Sequence, residues 1–242
     1  MTINEWYYHP NTYVLLVTNS PPAQGGPYGN TRLHKDRGWC FFEKAASMAV
    51  KKSWCVLDFG AWQGATEFGV GGIHSLSKNG GNTCVAQMMG TREAPISPPV
   101  FSKLMRDRVN SGELNFTAAA DKEFVIGQYE KGFIHAINIV ASSTEEMTRV
   151  LGFHTLRWTD KEAKETMEAL RYAAPLCTFP HAPVGVFLVY GNQLTESGQK
   201  WVKDQFGTTQ MVADANAAAP THGGFPQAAP TPLRSALPDA VQ

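Results

Sequence analysis

The sequence predicts an α/β fold: a small parallel sheet with helices packed on it, and a helical second half that closes on one more strand and helix. Three observations carry that expectation. Tyr13-Val-Leu-Leu-Val-Thr18 and Trp54-Cys-Val-Leu-Asp-Phe59 are short runs rich in β-formers, read as buried strands of parallel type. Between them, Trp39, Phe42, Ala46, Ala49 and Val50 recur at three- and four-residue steps, which makes Trp39 to Lys52 a helix with one apolar stripe. Strand, loop, helix and strand in that order form a βαβ unit with a right-handed crossover. Further on, Val125, Ile126, Tyr129, Phe133, Ala136, Ile137 and Val140 share one face at 100° per residue, so Asp121 to Ala141 is a long amphipathic helix.

The remaining elements follow in order. Phe59 to Pro99 is broken repeatedly by Gly69, Gly71, Gly72, Gly80, Gly81, Pro95, Pro98 and Pro99, and is read as the join between two halves. Thr159-Asp-Lys-Glu162 has the form of a capping box, in which hydroxyl and carboxylate each satisfy an orphan amide. It opens a helix to about Tyr172 that presents Ala163, Met167 and Leu170 and ends at Pro175. Val184 to Tyr190 reads as a strand, and Thr195 caps a last helix to about Phe206. Ala213 to Gln242 holds nine Ala, five Pro and three charged residues, too little apolar surface to offset its ordering entropy, and is expected to be a disordered tail. The organisation expected is therefore residues 1–99, residues 100–212 and the tail 213–242, with the first two free to share a core because no polar linker parts them.

Composition narrows the function classes. The 242 residues carry 21 Lys and Arg against 21 Asp and Glu, so no basic surplus points to nucleic acid or to an acidic membrane surface. No run of 18 apolar residues is present, and Met1 to Tyr8 lacks the pattern of an export signal, so a soluble cytoplasmic protein is expected. Cys40, Cys55, Cys84 and Cys177 have no C-x-x-C spacing, and the seven histidines show no H-x-x-x-H or H-E-x-x-H. Reduced thiols, no metal and no resident cofactor are expected. Gly69-Val-Gly-Gly72 lacks the full phosphate-loop form and reads as a flexible loop. Cys40, close to a helix start, is a candidate for a lowered thiol pKa, with small-residue packing as its ordinary role. Trp39, Trp54, Trp62 and Trp158 sit in or beside apolar periodic segments, where core packing is the default.

Two segments resemble known families. Arg37-Gly-Trp39-Cys40-x-x-Glu43, at the start of a helix that follows a strand, resembles the central segment of Toll/interleukin-receptor-like domains. A related form is similar to that of large families of algal and protist proteins, some with terminal leucine-rich repeats. The resemblance implies a flavodoxin-like parallel sheet and, in the NAD-hydrolysing members, a catalytic glutamate. Glu43 would then hold the ribose hydroxyls and stabilise positive charge as the nicotinamide bond breaks, with Arg37 and Trp39 shaping the pocket for NAD as substrate. Carboxylates beside oxocarbenium-like centres serve glycosidases in the same way. On helical geometry Glu43 borders the apolar stripe, where it can also complement the helix dipole or pair with Arg37.

The pattern Val184, Phe187, Val189, Asn192, Leu194, Gly198 resembles one ribonuclease-inhibitor-type leucine-rich repeat, with Leu151 to Tyr172 as a degenerate neighbour. That resemblance implies a structural Asn192 whose side chain bonds to backbone groups where strand turns into loop, and a protein-binding role. No counterpart of the strand and loop that supply the other wall of the Toll-type pocket is expected among the dozen residues ahead of Tyr13. The leading expectation is therefore a non-enzymatic protein-interaction or signalling module with a protein partner, and the alternative an NAD glycohydrolase-like enzyme using Glu43.

Overall fold

The computed structural model describes residues 3–19, 32–64, 84–89, 92–144, 149–154, 156–178, 185–187 and 192–206. In chain order the elements are α1 (Ile3–Tyr8), β1 (Val14–Leu16), α2 (Gly38–Met48), β2 (Val56–Asp58), α3 (Cys84–Met89), α4 (Pro98–Asn110), α5 (Asp121–Ala141), β3 (Val150–Gly152), α6 (Asp160–Ala173), β4 (Gly185–Phe187) and α7 (Glu196–Phe206). The architecture is mixed α/β and mostly helical.

The two expected strands of the first half pair in parallel, with Val14 opposite Val56 and Leu16 opposite Asp58. A second two-stranded parallel sheet joins β3 to β4, with Val150 opposite Gly185 and Gly152 opposite Phe187. Both sheets are short. One face of the first buries Leu16 and Val56 against Met48 at the end of α2, with Val14 packed beside them. On the other face Leu57 reaches the main core, whereas Tyr13, Leu15 and Val17 remain exposed. The expectation of a wholly buried first strand is thus corrected: a three-residue strand with one neighbour has too little layer above it to cover both sides.

The main core gathers side chains from helices α1 to α7 and from β3, from Tyr8 and Phe42 through Phe101, Tyr129 and Phe133 to Leu170, Leu194 and Val202. Its centre is aromatic. Phe101 stacks on Tyr129 at 3.8 Å between ring centroids and on Phe41 at 5.5 Å, while the Tyr129 hydroxyl donates to the Ile96 carbonyl at 2.8 Å. The long helix α5 spans the predicted residues, and its predicted apolar face is the buried one. Gly132 on that helix leaves room for Tyr8, whose ring a β-carbon there would overlap; the Tyr8 hydroxyl donates to the Tyr129 carbonyl at 3.2 Å.

Two expectations change, and one helix is added to those foreseen. The break at Pro98 and Pro99 opens a helix, because proline at the first helical positions removes only amides that have no intrahelical partner. The short helix α1 was hidden by its length. Trp62, read as a core residue, is 50% exposed, because it stands just past the turn that follows β2. Trp158 is buried, and Trp39 and Trp54 are packed against the core. The capping box of α6 is present, with Glu162 accepting from the Thr159 amide at 2.8 Å and Thr195 capping α7 through the Gly198 amide at 3.0 Å. The strand residues Val184 and Leu188 to Tyr190, the Gly69–Gly72 loop and the tail from Ala213 lie outside the described residues. Among the described residues no helix is long and apolar enough to cross a membrane.

Candidate functional site

The Arg-Gly-Trp-Cys segment forms a joint with the turn that precedes α5. Arg37 bridges in parallel to Asn115, the Gly38 amide donates to the Asn115 carbonyl at 2.9 Å, and the Asn115 amide donates to the Asp36 carbonyl at 3.2 Å. Gly38 is required by contact, since a β-carbon there would fall within the Phe116 ring. Trp39 packs edge-on against Phe42 and Phe116, and its indole Nε1 donates to Asp121 at 3.0 Å. The Arg37 guanidinium folds back to donate to the Arg32 carbonyl through Nε at 3.1 Å and Nη2 at 2.8 Å. Each of the three residues therefore has a packing or bonding task in this joint.

Beside the joint opens a cleft of about 370 Å³, walled by Arg32, Arg37, Trp39, Cys40, Asn115 and Phe116. It brings together Arg37, Trp39 and Cys40 of the predicted site. Glu43 does not line it. One helical turn further along α2, Glu43 is half-buried and accepts a hydrogen bond from the Tyr7 hydroxyl of α1. Burial pushes the Glu43 carboxyl up, and the Tyr7 bond opposes that shift. Tyr7 in turn is pushed up to about 12 by burial and by the Glu43 charge. The pairing with Arg37 open to Glu43 on sequence grounds gives way to this tyrosine.

Comparison with protein-family models, with curated proteins and with solved structures gives no match. The cleft is therefore read from its own chemistry. Cys40 is corrected: its thiol is pushed up, first by burial and then by the Glu43 charge, and Arg37 offsets this only in part. Being near a helix start does not make it a thiolate. The four cysteines are free thiols, and no metal-binding group of His, Cys, Asp or Glu occurs among the described residues.

Asn192 lies elsewhere, at the second sheet. Its Oδ1 accepts from the Leu156 amide at 2.9 Å and the Trp158 amide at 3.2 Å, and its Nδ2 donates to the Phe153 carbonyl at 2.7 Å. One side chain thus satisfies three backbone groups of the loop between β3 and α6, where Arg157 takes a left-handed φ of 58°. Sequence reasoning missed Asn115, Phe116 and Tyr7, because their link to α2 depends on how distant turns and helices dock.

Proposed function

We propose that this chain is a cytoplasmic, non-enzymatic interaction module that takes a protein partner on the outer face of β1. One observation carries the reading. Tyr13, Leu15 and Val17, alternate residues on one side of the strand, are 67%, 56% and 57% exposed, and Trp6 of α1, whose carbonyl accepts from Thr12, is 59% exposed. Parallel strands are ordinarily covered on both faces, and Thr12 to Thr18 carries no charge that would keep the strand in water. The β1–α2–β2 order with parallel pairing supports the flavodoxin-like reading of the first half. In the second half, two strand–loop–helix units with parallel strands, the second tied to the first through Asn192, support a leucine-rich-repeat-like pair. The test uses Leu15→Lys with Val17→Lys, against Val100→Lys, which alters an exposed apolar position on α4. A partner recovered with the wild type is purified, and its affinity falls at least tenfold for the β1 variant while the α4 variant keeps it; equal affinities overturn the assignment.

A second reading rests on the cleft, whose wall carries Arg37, Trp39 and Cys40 one turn from Glu43. Under it the chain would cleave NAD. The bond that Glu43 accepts from Tyr7, and its position off the cleft wall, favour the non-enzymatic conclusion. Nicotinamide release by wild type and by Glu43→Gln is expected to stay equal and at background; release that is lost in Glu43→Gln would establish the enzyme instead.

A further inference from the structure

Two guanidinium groups, those of Arg32 and Arg37, line the cleft beside α2, and no aspartate or glutamate stands among its described lining residues. Arg37 is half-buried and donates through Nε and Nη2 to the Arg32 carbonyl, a neutral acceptor that fixes the fork without cancelling its charge. The first turn of α2, whose Gly38, Trp39 and Cys40 also line the cleft, carries no acidic residue, so the positive end of the helix adds to the same field.

Trp39 and Phe116 supply the apolar wall. They meet edge-on at 6.4 Å between ring centroids, the Trp39 indole is tied to Asp121 at 3.0 Å, and Phe116 lies where a β-carbon on Gly38 would overlap its ring. Backbone bonds from Asn115 to Asp36 and from Gly38 to Asn115 hold the two sides of the cleft together. The walls are therefore set before a ligand arrives, and binding loses little entropy in ordering them. The volume, about 370 Å³, lies at the small end of ligand sites and suits a body of one or two rings.

We infer that this cleft binds a small aromatic monocarboxylate, with its ring against Trp39 and Phe116 and its carboxylate met by Arg32 and Arg37. Each part of that ligand matches a part of the wall. A planar carboxylate complements the guanidinium fork, and an aromatic ring takes the edge-on or offset contacts that indole and phenyl rings favour. A dianion such as a phosphate monoester fits less well, because Asp36 directly precedes Arg37 and Asp121 accepts from the Trp39 indole. Binding of this kind requires neither cleavage by Glu43 nor a partner on β1.

The test titrates the full chain with naphthoate, a two-ring aromatic carboxylate, followed by calorimetry. One saturable site per chain is expected, with naphthamide, which lacks the charge, about tenfold weaker or more. Arg32→Gln, at an exposed position, is expected to weaken naphthoate about fivefold or more, while Val100→Lys on α4 keeps the affinity. In heteronuclear NMR spectra of the wild type, the backbone amides of Trp39, Cys40 and Phe116 are expected to shift along the same titration, which locates the ligand even where Arg32→Gln fails to fold. Absence of saturable naphthoate binding, equal binding of naphthamide, full affinity in a folded Arg32→Gln, or amide shifts confined to another part of the chain overturns the site. Tighter binding of naphthyl phosphate than of naphthoate overturns the carboxylate class.

Discussion

Replacing Lys51 by Met lowers folding stability by about 2–4 kcal/mol, as the loss of a buried charged donor from its acceptors requires. Lys51 follows α2 in the sequence and has no exposed surface. Its ammonium donates to the carbonyls of Trp6, His9 and Thr12 and to the Thr12 hydroxyl, so one side chain closes the connection between α1 and β1. Methionine fills similar space but leaves the Thr12 carbonyl without its donor, and the Trp6 and His9 carbonyls with Thr12 alone. Urea denaturation at neutral pH measures the loss, and Lys51→Arg separates charge from shape.

The same residue sets a pH dependence. Burial pulls the Lys51 ammonium down to about 8. Between that value and the ordinary lysine range the unfolded chain holds the extra proton, so stability rises with pH across that window; this increment adds to what the hydrogen bonds supply at neutral pH, and it alone is lost as pH falls through about 8. The stability gap between wild type and Lys51→Met is therefore expected to widen from pH 7 to pH 10. A gap that narrows would show that the charged form is the favoured one in the fold.

Asn192→Ala is expected to cost about 3 kcal/mol, because it orphans two amides and a carbonyl together. The Leu156 and Trp158 amides and the Phe153 carbonyl sit in the loop that carries the buried Trp158 into the core, where its indole donates to the Arg92 carbonyl at 2.8 Å. Asn192→Asp keeps the acceptor and loses only the donor to Phe153, so about half the loss is expected to return. Hydrogen exchange at Leu156 and Trp158 provides a local measurement. Fast exchange in Asn192→Ala and protection in Asn192→Asp is the expected pair of results, and equal protection in all three proteins would place the stability of the loop elsewhere.

Elements with strong local signals were legible in the amino-acid order. The face of α5, the capping box of α6, the Thr195 cap and the parallel pairing of two apolar runs all depend on spacing within one segment or on a short crossover. Asn192 was read as a backbone-bonding residue from its pattern. By contrast, α1 and α3 are six residues long, too short for a helical period to repeat, and Pro98 and Pro99 signal a helix start and a break alike.

The candidate site was half legible. The Arg-Gly-Trp-Cys segment drew attention by its composition, and three of its residues do share a cleft. That Gly38 is there for Phe116, that Trp39 donates to Asp121, and that Glu43 turns to Tyr7 instead of the cleft are matters of which distant helices dock on α2. The sequence by itself determined where the long periodic helices, the capped helix starts and the apolar strands form, through periodicity, capping and β-branched runs acting over a few residues. Only the tertiary structure decided which side chains meet, which face of β1 stays open and which cations are buried without a counter-charge, because burial and pairing arise from contacts between segments far apart in the chain.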